Sequence, residues 1–128
     1  MSVTKGLRVV GYFDCPGGGQ VVVNDRVAYV GHVKPPNGTS IIDVSDPSRP
    51  VKVAEINTPE GTLSHKVRVD NGIMLVNQEI YPIGRKDPSF KGGLEIFDIS
   101  KPSSPRHIGN WPTRGPRRCA SMDLTCSA

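Results

Sequence analysis

His65 is the residue of this sequence best suited to chemistry. A neutral imidazole ligates a metal or carries a proton near neutral pH. It stands near the end of the first of two polar segments, 58–66 and 78–92, just before a valine-rich run at residues 67–69. Those segments supply Gln78, Glu79, Tyr81 and Arg85 as ligand-binding candidates, and His32 joins them by its alignment with Gln78. Other signals are weaker. Ser64 beside His65 is no catalytic pair by adjacency, because a base must meet its nucleophile in space. Gly17, Gly18 and Gly19 are followed by no Lys-Ser/Thr and no helix pattern, so they read as a tight turn, not a phosphate cradle. No two carboxylates stand at a spacing suited to acid–base work, so no catalytic residue is assigned. Cys15, Cys119 and Cys126 form no CxxC and no metal-ligand spacing.

Composition limits the elements that can position these groups. The chain has 128 residues, 36% hydrophobic and 5% aromatic, with 14 Gly and 12 Pro. That density of breakers excludes long periodic helices and predicts many turns. No apolar run approaches the roughly 18 residues of a membrane helix. The first residues carry no apolar leader, and three cysteines are an odd count. Both favour reduced thiols and a cytoplasmic protein, and they leave the sequon at Asn37 without consequence. Half of the net charge of +4 falls in the last fifteen residues. The remaining charges are interspersed, with no basic groove or stacking aromatics, so neither nucleic acid nor membrane is expected as a partner.

An internal repeat organises the chain. VVVNDRVAYV at residues 21–30 aligns with VRVDNGIMLV at 67–76, and GTSIIDVSDPSRP at 38–50 aligns with GLEIFDISKPSSP at 93–105. The offsets are 46 and 55, so the second copy carries nine extra residues in one loop. Each unit reads as four short strands. In the first they cover residues 21–23, 27–30, 40–44 and 51–56; in the second, 67–69, 73–76, 94–99 and 106–111. Asn, Asp and Gly at 24–25 and 70–72 tolerate positive φ and mark hairpins. Asp43 and Asp98 can accept hydrogen bonds from backbone N–H groups of the corner before the fourth strand. Phe97 and Trp111 read as packing groups between units, and His107 as structural or solvent-facing. A matching outer strand at residues 8–13 has no earlier strands before it.

Repeated four-stranded antiparallel units of this length are propeller blades. The expected fold is therefore all-β: a partial β-propeller of two four-stranded blades plus an orphan N-terminal outer strand at about 7–14. The first repeat covers about 17–59 and the second 60–113. In a ring, an orphan first strand completes the sheet of the last blade. TSIIDVSDPSRP at 39–50 and LEIFDISKPSSP at 94–105 resemble the LVIVD repeat of β-propeller proteins, a resemblance that covers residues 7–113. It implies a propeller whose loops 58–66 and 78–92 lie on one face with His32, and it assigns no ligand or cofactor. The sequence is also loosely similar to selenium-binding-type (methanethiol oxidase) propellers, which implies a channel metal with His65 as one ligand. Set beside that enzyme reading is a binding or scaffold module for an unknown protein or small molecule, with self-association to complete the ring.

Residues 114–128 break the pattern with an irregular basic tail. Read one base earlier, the codons of 119–126 permit an Arg-Phe-Asp-Gly continuation typical of the strand–turn–strand text above. One reading of the tail is thus a frameshift that leaves a truncated, inactive product; the other is a natural disordered tail.

Overall fold

The structure, a computed structural model, describes residues 5–112. The tail, with Cys119 and Cys126, lies outside the described residues. Among those described, nine strands make two antiparallel sheets and no residue is helical. No helix is long and apolar enough to cross a membrane. The first sheet holds β1 (Gly18–Asn24), β2 (Val27–His32), β3 (Asn37–Asp43) and β4 (Val51–Asn57) in chain order. The second holds β5 (Thr62–Leu63), β6 (Val67–Asp70), β7 (Ile73–Ile80), β8 (Gly93–Asp98) and β9 (Arg106–Pro112). Both β5 and β6 pair with β7, so the inner strand of the second sheet is one line broken at residues 64–66. The result is two blades of a propeller.

The repeat holds down to single hydrogen bonds. Both first hairpins turn on two central residues of positive φ, Asp25 (46°) and Arg26 (63°) in blade one, Asn71 (47°) and Gly72 (74°) in blade two. That is the type I′ geometry whose twist matches paired strands. The carbonyl of the second turn residue then accepts from the chain leaving β3 or β8: Val44 N to Arg26 O at 2.9 Å, Ile99 N to Gly72 O at 2.8 Å. At the corner, Ser45 N donates to Asp43 Oδ1 (2.8 Å) and Ser100 N to Asp98 Oδ1 (2.9 Å). Arg106 adds a bond to the other Asp98 oxygen at 3.0 Å. Short Asp side chains hold these corners because they mimic a backbone turn.

Alternation along the strands gives each blade two faces. The pairs Tyr29↔Ile41 and Ile41↔Ala54 line the side of blade one that meets blade two, and Val67↔Val76 and Met74↔Phe97 line the answering side. Tyr29, Ile41, Val67, Met74, Val76, Phe97 and Ile99 are the buried cluster, so the core lies between the sheets. Each such side chain withdrawn from water contributes about 1.5–3 kcal/mol.

One expected element is absent. Residues 8–13 join no ladder, since a strand needs a partner edge and none of the described residues supplies one. Val9, Val10 and Tyr12 are instead 73%, 51% and 80% exposed. Gly11 still seats this segment against blade one, because a Cβ there would collide with the Pro47 carbonyl.

Two outcomes test this fold. Arg26 occupies a left-handed conformation that Gly72 occupies without strain in the second repeat. Arg26→Gly should raise stability by about 1 kcal/mol, read as a higher urea midpoint at unchanged slope. The Ser100 hydroxyl and amide, with Arg106, lower the Asp98 carboxyl to about 2. A depressed carboxylate contributes stability that is complete above the unfolded value near 4 and lost as pH falls toward 2. Thermal midpoints measured across that interval should fall, and Asp98→Asn should flatten the fall.

Candidate functional site

The inner strand of blade two lies directly against blade one, and this seam builds the site. Gly31 in β2 faces the backbone of His65, where an added Cβ would come within 2.6 Å of the His65 carbonyl. Gln20 sits in the β1 irregularity between Gly18 and Val21. Its N–H donates to His65 O (3.3 Å), and its side-chain Oε1 accepts from Val67 N (3.0 Å). Ser64 forms a single bridge to His32. On the other flank Asn77, 3% exposed, fastens the break in the inner strand. Lys66 N donates to Asn77 Oδ1 at 2.9 Å, and Asn77 N donates to Lys66 O at 3.3 Å.

The two polar segments singled out in the sequence meet at this end of the blades. Thr62 pairs with Ile80 and Leu63 with Glu79, and Tyr81 N donates to Gly61 O at 2.8 Å. Glu79 accepts from Asn77 Nδ2 (2.7 Å) and pairs with Lys66 Nζ (3.8 Å). Tyr81 is half-buried. Arg85 reaches outward to Asp87 at 3.1 Å, where Ser89 closes an Asx turn that holds the Asp87 carboxyl below its ordinary range. The inserted loop is thus folded on its own polar contacts beside the strand ends.

Between the blades, at the same end, a cleft of about 240 Å³ opens. One wall is apolar, from Ile56, Val76 and Phe97; the rest includes Ser64, Gln78 and Glu95. The Glu95 carboxylate already accepts from Asn110 Nδ2 (2.7 Å) and binds His107 Nε2. His107 also meets Phe97 edge-on at 5.2 Å, which gives it the structural place expected of it. Thr39 and Ser64 belong to the lining, and their hydroxyls are buried without a partner among the described residues. A buried hydroxyl left so costs about 1–3 kcal/mol. The cleft thus sets an apolar wall at Phe97 alongside polar groups that include Gln78.

His32 and His65 are placed differently from the other candidates. The His32 ring is only 4% exposed and faces the side of blade one away from the seam, bonded to Ser40 and Pro16. His65 lies at the break of the inner strand with its Nδ1 buried and unpartnered among the described residues. That nitrogen is a donor atom for a metal, but no three His, Cys, Asp or Glu side chains come together among the described residues. One imidazole does not make a metal site, so these residues by themselves do not fit one.

Gln20 and Gly31 escaped the sequence reading. The signal for Gly31 was present, since a glycine inside a strand marks the close approach of another backbone. Gly31→Ala should push the two blades apart at His65 and lower stability by roughly 1–3 kcal/mol, measured by urea unfolding. An unchanged midpoint would mean that the seam yields freely there.

The sequence matches the LVIVD repeat family over residues 19–58 and 89–113, just over half of the chain. The first span takes in nearly all of blade one, and the second takes in β8 and β9 with the end of the inserted loop. A search of the curated proteins returned no match. The repeated corner, the paired I′ hairpins and the matched spans agree: the chain belongs to the LVIVD-repeat family.

Proposed function

We propose that this chain is a binding module whose contact surface is the loop-bearing end of its blades. The observation that carries the reading is the cleft between the blades, walled by Phe97, Val76 and Gln78, the last near the end of the strand that leads into the inserted loop. Insertions on one end of a repeat array often form its binding face. The Gln78 amide offers both a donor and an acceptor. A small molecule with an apolar body and an amide or hydroxyl group suits these walls.

A fragment set of such molecules, followed by 1H–15N spectra of the full chain, tests this. Hits should move the amides of Ser64, Gln78 and Glu95 together, and Gln78→Ala should weaken them several-fold. Shifts scattered elsewhere, or none, would remove the reading.

A second reading, association between copies of this chain, rests on a different observation. Val21, Val23, Ile108 and Trp111 are 58%, 63%, 45% and 68% exposed. The repeat equates them with Val67, Val69, Val53 and Ile56, which pack at the seam. Each end of the blade pair therefore carries apolar groups whose counterparts already pack on each other. A second copy would apply the same contact head to tail. Light scattering after size-exclusion chromatography should give a discrete oligomer that Trp111→Arg dissociates; a monomer at high concentration argues against it.

A further inference from the structure

On the side of blade one away from the seam, the turn that enters β1 and the end of β2 build a second polar cluster. Cys15, Pro16, Gly17 and Gly18 form a tight turn in which Gly18 N donates to Cys15 O at 3.1 Å. Proline in second place and a glycine with φ of 74° in third are the type II requirements. Val33 N donates to Gly17 O at 3.1 Å, which pins this turn to the strand end. The consequence is that both nitrogens of His32 are addressed. Pro16 O stands 3.2 Å from Nδ1, while Ser40 Oγ and Cys15 Sγ stand 2.9 Å and 3.7 Å from Nε2.

The proton on His32 is fixed by the chemistry of these partners. A carbonyl oxygen only accepts, so Nδ1 carries the hydrogen and donates it to Pro16. Nε2 then presents a lone pair, and the hydroxyl and thiol facing it can each donate to it. Of the two, Ser40 is buried at 3% exposure and out of reach of any solute. Cys15 is a free, half-buried thiol next to exposed Gly17 and Gly18. A Cβ built on Gly18 would come within 3.8 Å of its sulfur, so the thiol lies beside this exposed glycine. A nucleophile within reach of a base, with the base oriented by a third group, is the arrangement that activates side chains for attack.

We propose that Cys15 is a nucleophilic thiol with His32 as its base, and that it reacts with low-molecular-weight disulfides. His32 Nε2 takes the Sγ proton, and the sulfur electron pair attacks one sulfur of the disulfide. The S–S bond breaks as the new Cys15 S–S bond forms. The departing sulfur leaves with the bonding pair and takes the proton from Nε2. Cys15 ends as a mixed disulfide, oxidised by the disulfide that is itself reduced to one thiol, so no further reactant is needed. A second thiol reverses the step. The Pro16 carbonyl orients the imidazole in this scheme, whereas Ser40 competes with Cys15 for the Nε2 lone pair.

The test uses the full chain carrying Cys119→Ser and Cys126→Ser, with 5,5′-dithiobis(2-nitrobenzoic acid) as the disulfide probe. At pH 7 the folded protein should react about tenfold faster than the same protein in urea, where His32 no longer faces the thiol. His32→Gln should abolish that advantage. Ser40→Ala should raise the rate about twofold, and this gain should vanish in the Ser40→Ala/His32→Gln double variant, because it acts through the imidazole. A gain that survives in the double variant would reflect mere loosening and would overturn the scheme. Should His32→Gln not fold, long-range 1H–15N spectra of the imidazole decide: a neutral ring protonated on Nε2 would refute the proposal, as would a folded rate no greater than the unfolded one.

Discussion

The rest of the structure depends on the approach of one backbone to another at Gly31 and His65. Blade two begins by laying its inner strand along blade one, and only a residue without a Cβ lets the two chains come that close. Gln20 then supplies two hydrogen bonds across the gap, one from its N–H and one to its side-chain oxygen. With the strands held there, Tyr29 and Ile41 meet Val67, Met74 and Phe97, and the core forms between sheets. The same contact breaks the inner strand into β5 and β6, because residues 64–66 serve blade one as well as β7.

Within each blade, short polar side chains set the geometry that the apolar ones exploit. The Asp-x-Ser corner recurs at Asp43, Asp46, Asp87 and Asp98, each carboxylate accepting from the amide two residues on. Two of these corners turn the third strand into the fourth, and Asp87 shapes the inserted loop. All four carboxyls are held below their ordinary range, chiefly by the serine hydroxyl or amide that each accepts from. Pro47 and Pro102 follow the corners, where a residue with no N–H ends the ladder at no cost.

The two polar constellations of the molecule lie on opposite sides of blade one and differ in character. The cleft at the seam has an apolar wall and an amide, and its one carboxylate is already paired. The Cys15–His32–Ser40 cluster is a compact chemical arrangement in which a turn dictates the tautomer of an imidazole. Nothing about the first requires the second. The binding proposed for the loop-bearing end and the thiol chemistry proposed for the side of the first blade therefore stand on separate residues.

Much of the fold was determined by the sequence alone, because its causes are local. The two type I′ turns follow from Asn, Asp and Gly, the corners from Asp43 and Asp98, and the blade count from two aligned runs at offsets of 46 and 55. The meeting of segments 58–66 and 78–92 followed from that topology. Tertiary structure decided what depends on partners remote in sequence. Residues 8–13 carry a strand pattern yet form none, since an edge must be offered by another chain segment. His32 stands at the loop-bearing end, where it bridges Ser64, while its side chain meets Ser40 and the Cys15 turn on the far side of blade one. His65 stands where the sequence put it, but whether an imidazole gathers other ligands depends on the packing of distant strands. Residue types and short spacings fix turns and strands; which groups face one another is settled only when sheets pack, because that choice is made by shape and burial across the whole molecule.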